Sequence, residues 1–245
     1  RAQTLANMGH PIDKIELIIL GGTWSAYPKK YQIWFIRQCF RALNDIQSQK
    51  TNLKSLDYRR DQTETSNWEK LQTAMQKNET ALARNVGLVV ETRPDFITQE
   101  EVVRLRKLGA TKIQLGIQFL DDEILAMNKR GHGVKEIASA FSLLRSAGFK
   151  IQAHWMVNLY GSNPEIDKEN YLKIFSDHRF KPDELKIYPC SLLTDTELFT
   201  LHHQGKWRPY NHQELVDILK FCLTNTPRYC RLNRVIRDIP SPEII

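Results

Sequence analysis

Ile113-Gln114-Leu115-Gly116-Ile117-Gln118, followed by Asn128-Lys129-Arg130-Gly131-His132, is the stretch on which the fold turns. The first string is a β-branched and apolar run that ends on a polar side chain, and the second is a basic loop whose Arg130 stands twelve positions after Gln118. The same pattern surrounds it. Upstream, Ile15 to Leu20 runs into Gly21-Gly22-Thr23, and Val86 to Val90 runs into Glu91-Thr92-Arg93-Pro94-Asp95; downstream, Ile151 to Val157 ends at Asn158, and Leu185 to Tyr188 at Pro189. Strand units that carry their polar residues at the carboxyl ends are the means by which an open α/β sheet or a barrel builds a site.

The joints between these units repeat as well. Leu5-Ala6-Asn7-Met8-Gly9, Leu105-Arg106-Lys107-Leu108-Gly109 and Leu144-Arg145-Ser146-Ala147-Gly148 each end a helix on glycine, and a strand follows within a few positions. Glycine supplies the left-handed residue that closes a helix. Pro28 opens an amphipathic helix with Tyr31, Trp34, Phe35, Gln38 and Leu43 at near-helical spacing, and further helices are expected over Asp121 to Met127, Val134 to Ala147 and Asp167 to Ser176. Three capping boxes, Thr98 to Glu101, Thr194 to Glu197 and Asn211 to Glu214, start others. Gln47 to Asn85 is polar and reads as a surface insertion with one helix near Trp68 to Met75. Arg231 to Ile239 is an extended basic stretch. The expected architecture is α/β with at least five parallel strands in a single domain over residues 1–245.

The chain has 245 residues, 41% of them hydrophobic, enough for one barrel-sized core. No apolar run approaches the roughly 18 residues of a membrane span, and Arg1 to Asn7 reads as the middle of a helix rather than a signal peptide. The net charge of +7 fits a polyanionic partner, although ordinary proteins share such a bias. Cys39, Cys190, Cys222 and Cys230 have no CxxC spacing, so they read as reduced, mostly buried thiols and neither a disulfide framework nor a metal motif. A cytoplasmic compartment follows from that usage.

The order Gly21-Gly22-Thr23, Glu91-Thr92-Arg93-Pro94-Asp95, Gly116-Ile117-Gln118, Arg130-Gly131-His132 and Arg237-Asp238-Ile239-Pro240 resembles the radical S-adenosylmethionine domain of the Elongator catalytic subunit. The likeness extends to Gly9-His10-Pro11, Gly148-Phe149-Lys150 and Lys186-Ile187-Tyr188-Pro189. It implies a partial (β/α)6 TIM-like barrel of the radical SAM type. It also implies S-adenosylmethionine and a 4Fe-4S cluster as cofactors, the cluster being held by a three-cysteine motif that these residues do not contain. Acetyl-coenzyme A would be co-substrate in an acetyltransferase-like domain that the 245 residues do not contain either. The implied partners are transfer RNA and Elongator-type subunits, with no membrane.

The resemblance gives the cofactor Gly21 and Gly22, whose bare backbone would meet the methionyl amino group and whose alternative role is an ordinary β-turn, with Thr23 beside them, and Glu91, whose alternative role is a solvated charge. Gln118 can donate and accept, which suits ribose hydroxyls, and Arg130 offers a fork for the methionyl carboxylate. Asn158 stands where the family often has Asp, and His154 on the same strand reads first as a satisfied core histidine. For transfer RNA the candidates form two sets. Lys129 and His132 lie beside Arg130; Lys206, Arg208, Arg231, Arg234 and Arg237 lie near the carboxyl end with Trp207 and Tyr210 between them, and aromatic faces beside cations suit unpaired bases and phosphates. The functional expectation is an acyltransferase that places a carboxymethyl-type group on carbon five of the wobble uridine, the 245 residues being inactive by themselves. The rival readings are another radical SAM enzyme, of methylthiotransferase or porphyrin-oxidase type, and a catalytically inactive barrel that binds transfer RNA or assembles a complex.

Overall fold

The three glycine joints form as the sequence requires. Gly9, Gly109 and Gly148 all take positive φ, and the next residue's amide reaches back to close the helix: His10 to Leu5 O at 3.0 Å, Ala110 to Leu105 O at 3.1 Å, Phe149 to Leu144 O at 3.0 Å. A computed structural model describes residues 2–46 and 64–236. They fall into two units, one reaching Thr92 and including Glu100–Lys112, the other comprising Arg93–Gln99 and the residues from Ile113 onward.

The first unit contains α1 (Ala2–Asn7), β1 (Lys14–Ile19), α2 (Lys29–Asn44), α3 (Glu64–Asn78), β2 (Arg84–Thr92) and α4 (Gln99–Lys107), with a 3-10 turn at Trp24–Ala26. Strands β1 and β2 pair in parallel from Lys14↔Arg84 to Ile19↔Val90. Helix α2 buries Ile33, Ile36, Phe40 and Leu43, the i, i+3, i+7 spacing of one helix face. Here the polar stretch departs from its reading as a surface insertion. Its helix is longer than expected, and it buries Leu71 completely together with Ala74 and Asn67. Asn78 at its end is buried and stitched in: its Nδ2 donates to Asn44 Oδ1 and to Ala83 O, and its Oδ1 accepts from the Asn85 amide. Hydrogen-bonded asparagines let a helix of polar composition pack, because their amides are satisfied where water is excluded. Residues 47–63 lie outside the described residues.

The second unit contains β3 (Lys112–Gln118), α5 (Asp122–Met127), α6 (Val134–Ser146), β4 (Lys150–Val157), α7 (Pro164–Ser176), β5 (Glu184–Pro189), α8 (Glu197–His203), α9 (His212–Asn225) and β6 (Arg231–Val235). Strand β3 neighbours β4, and β4, β5 and β6 pair in parallel. The basic stretch at the end thus supplies a sixth strand. Helix α8 starts two residues later than the Thr194 box suggests, capped by Thr196, whose Oγ1 accepts from the Phe199 amide.

The two faces of these strands differ. Ile113, Leu115, Ile117, Ile151, Ala153, Trp155, Val157, Leu185 and Ile187 are fully buried. Trp155 packs on Tyr171 of α7 at 4.9 Å and its Nε1 donates to Asn170 Oδ1, so this face is the helix-covered core. Among the alternate positions Gln114, Gln152, His154 and Lys186 are polar and buried. Lys186 Nζ donates to Gln114 Oε1 at 2.6 Å, and His154 Nε2 lies 3.0 Å from the same oxygen, so His154 is a satisfied interior histidine, as the sequence suggests. No helix among the described residues is long and apolar enough to cross a membrane.

Candidate functional site

In the second unit two strands end on an amide residue in the left-handed region. Gln118 closes β3 with φ of 65° and Asn158 follows β4 with φ of 62°. Non-glycine residues seldom adopt this conformation, and it costs on the order of 1 kcal/mol or more unless the surroundings fix it.

The loop after β3 shows how the sequence delivers Arg130. Asp121 caps α5 by accepting from the Ile124 amide at 3.0 Å. The helix closes with Lys129 in the left-handed position: Lys129 N bonds Ala126 O and Arg130 N bonds Leu125 O, the paired bonds of a Schellman ending made on lysine instead of glycine. Asn128 anchors this turn, donating to Ile124 O and Tyr160 O while accepting from the Tyr160 amide. Gly131 follows at φ of 71°, and a Cβ there would stand 2.8 Å from Arg93 Nη2. Arg93 itself forks onto Asp95 at 2.9 and 3.0 Å.

Arg130 is half-buried, and its Nε is buried without a hydrogen-bond partner. Burial first, and the nearby Arg93 second, pull its pKa below the ordinary guanidinium value, while Asp95 acts in the opposite sense. A guanidinium with an unmatched donor fits an anionic ligand, and a carboxylate is the planar group it matches best. The methionyl carboxylate of S-adenosylmethionine meets that requirement.

His132 corrects the sequence reading. Its side chain is wholly buried, with Nε2 3.5 Å from Ile117 O and Nδ1 3.8 Å from Asp95 Oδ1, so it faces inward and is no phosphate contact. Its pKa is lowered, chiefly by burial. The unfolded chain therefore takes up this proton before the folded one, and stability contributed by neutral His132 is present above the ordinary histidine value and lost as pH falls below it. We expect wild-type thermal midpoints to fall between pH 7 and pH 5, and His132→Gln to flatten that slope; a slope identical in the variant would show that His132 does not titrate on unfolding.

In the first unit Gly21 and Gly22 take φ of 102° and 75°, with open space where a Cβ would lie, as expected of a turn that presents backbone. Thr23 precedes the 3-10 turn, and Glu91 lies within β2, one residue before its end. A chain of hydrogen-bonded groups, most of them buried, that sequence patterns do not reveal holds that turn. Thr92 Oγ1 donates to Ser25 Oγ and Ser25 to Glu101 Oε1; Glu101 also pairs with Arg104, Arg104 with Gln32, and Gln32 Nε2 donates to Trp24 O and Tyr27 O.

The carboxyl-terminal basic set divides. Lys206, Arg231 and Arg234 are exposed. Arg208 is exposed but forks onto Glu214 at 2.7 and 2.6 Å, which holds that carboxyl at about 2. Lys129 pairs with Glu197 at 2.7 Å, a surface ion pair of small worth. Trp207 and Tyr210 are not stacking platforms: Trp207 is 6% exposed with Nε1 donating to Asn158 O, and Tyr210 Oη donates to Asp167 Oδ2. Arg237 lies outside the described residues.

Among the described residues no group of His, Cys, Asp and Glu could hold a metal ion, and the four thiols are free. Burial raises the pKa of all four, that of Cys190 to about 11 and that of Cys230 to about 12, so they stay protonated and do not suit an iron–sulfur cluster.

Parallel strand–helix units with glycines after the first strand and Gln118 and Arg130 after the third define a class. The profile of the radical SAM superfamily matches residues 2–169 and that of the radical SAM C-terminal domain matches residues 182–245; the chain belongs to the radical SAM superfamily, with its α/β, partial TIM-like barrel fold. It is 39% identical over its whole length to the tRNA uridine(34) acetyltransferase of Methanocaldococcus infernus and 32% identical over 99% of its length to Elongator complex protein 3 of Homo sapiens. It spans 42% and 41% of those two proteins. The structure of archaeal Elp3 from Methanocaldococcus infernus superposes with a TM-score of 0.85 at 38% identity, covering 99% of this chain and 52% of that one. Coproporphyrinogen III oxidase from Escherichia coli, at 15% identity and TM-score 0.51 over 91% of this chain and 54% of that one, shares the fold alone.

Proposed function

We propose that the chain is the radical SAM part of an enzyme that acts on transfer RNA at the wobble uridine. The carrying observation is the half-buried Arg130, whose Nε has no partner, in a chain alike throughout its length to tRNA uridine(34) acetyltransferases. Arg130 would hold the carboxylate of S-adenosylmethionine, Gln118 and the Oδ1 of Asn158 its ribose hydroxyls, and Gly21, Gly22, Thr23 and Glu91 its amino end. When bound, the cofactor with its cluster supplies one-electron chemistry. The protein's part is to orient the cofactor, keep the Arg130 fork desolvated and exclude water. The finer reading has acetyl-coenzyme A as acyl donor, a carboxymethyl-type product at carbon five, Elongator-type partner subunits and a cytoplasmic setting. No residue of this chain is assigned to acetyl-coenzyme A. Full-length, cluster-loaded protein incubated anaerobically with S-adenosylmethionine, acetyl-coenzyme A and a uridine-34 transfer RNA should yield a heavier nucleoside at that position; an unmodified nucleoside beside active S-adenosylmethionine cleavage would move the substrate elsewhere.

The phosphate contacts we assign are Lys206, Arg231 and Arg234. Neutralising each should lower the salt dependence of transfer RNA binding by about one unit of slope. Trp207→Ala should instead destabilise the fold by about 3–5 kcal/mol, as the loss of a buried aromatic does, with the slope unchanged. Filter binding across a salt series and a denaturation curve separate the two effects, and a quadruple variant that also carries Arg208→Gln yet retains the full slope would place the RNA on another face.

A further inference from the structure

Asn158 is over-determined by a segment remote in sequence. Its amide donates to Asp167 Oδ2 at 2.9 Å, its carbonyl accepts from Trp207 Nε1 at 3.2 Å, and its Nδ2 donates to Arg208 O at 3.1 Å. Asp167 is completely buried on the first turn of α7 and has no cation among its partners in the described residues. It accepts instead from Ser162 Oγ at 2.5 Å and from Tyr210 Oη at 2.8 Å. Burial raises its pKa against the pull of these bonds. Residues 206–211 are tied at both ends, by Lys206 N to Leu201 O and by the reciprocal Asn211 and Glu214 bonds that cap α9. With Nδ2 committed to Arg208 O, the side chain of Asn158 has Oδ1 left to offer, an acceptor suited to a hydroxyl donor.

We infer that Asp167 and Tyr210 are positioning residues for the cofactor: through the 206–211 strap they hold Asn158 left-handed, so that its Oδ1 meets a ribose hydroxyl. This rests on the assignment of Asn158 to S-adenosylmethionine. The residues that look in sequence like an RNA platform thus serve the end of β4. A buried carboxylate with three donors from three places is a costly arrangement for a mere loop anchor, since leaving any one donor unmet carries a desolvation penalty.

The test is a double-mutant cycle in full-length, cluster-loaded protein, with S-adenosylmethionine affinity read by equilibrium dialysis and amide exchange read at Asn158. Asn158→Ala should weaken binding by about 5- to 10-fold and Tyr210→Phe by about 3- to 5-fold, the scale of one hydrogen bond. Tyr210→Phe should also speed exchange of the Asn158 amide. The double variant should bind no worse than Asn158→Ala alone, because both act through one oxygen. Asp167→Asn should follow Tyr210→Phe, which keeps the ring and the fold if the former proves unstable. Additive losses in the double variant, or Tyr210→Phe without effect while Asn158→Ala weakens binding, would overturn the positioning role. If Asn158→Ala is silent while Arg130→Ala is not, the assignment of Asn158 to the cofactor fails and the positioning role fails with it, whereas the rest of the cofactor reading stands.

Discussion

Arg130→Ala weakens S-adenosylmethionine binding by about 1.5–3 kcal/mol, roughly 10- to 150-fold, the scale of hydrogen bonds to a charged group. Three features set this expectation: the guanidinium is half-buried, burial already disfavours its charge, and its Nε is unmatched within the protein. An anion that arrives there satisfies a donor already desolvated by folding, so little further desolvation opposes it. Arg130→Lys should recover only part of the loss, since an ammonium is a point charge without the planar fork. Calorimetry on full-length, cluster-loaded protein measures both variants. Equal affinity for wild type and Arg130→Ala would remove Arg130 from the cofactor.

Glu101→Ala destabilises the first unit by about 3–5 kcal/mol, because it strips the carboxylate from Arg104 in a site where both side chains are only 10% exposed. The loss also leaves Ser25 Oγ without its acceptor and loosens the turn after Gly21 and Gly22. Joint replacement of Glu101 and Arg104 by Met should be far milder, since no uncompensated charge stays behind. Chemical denaturation of the three proteins decides this, and a Glu101→Ala variant within about 1 kcal/mol of wild type would show that water reaches the pair.

The strands, their glycine joints and the Gln118 to Arg130 spacing were legible from the chain because each depends on neighbours in sequence. A glycine just past a helix closes it through bonds to the residues immediately before it. Binary pattern places Ile113, Leu115 and Ile117 on one face without reference to anything distant. Even with lysine in the left-handed position at 129 the turn closes, because its Schellman bonds and the Asn128 bond to Ile124 O are local, although Asn128 also needs Tyr160 from far along the chain.

Tertiary structure alone decided which polar residues face water. Trp207, Arg208 and Tyr210 in a basic run look the same in sequence whether they await a base or hold a strand end, because a connecting segment has no periodicity to mark its inner face. Only folding brings Asp167 43 positions back to meet Tyr210, and Asn158 to meet Trp207. His132 likewise looked like one more cation beside Lys129 and Arg130; burial against β3 makes it an inward, weakly basic ring. The polar helix α3 hid its core role for the same reason, since Asn67 and Asn78 are buried by partners that lie far along the chain or across a turn. Local pattern fixes where the backbone can turn, whereas desolvation is a property of the assembled fold, and desolvation is what gives Arg130, His132 and Asp167 their chemistry.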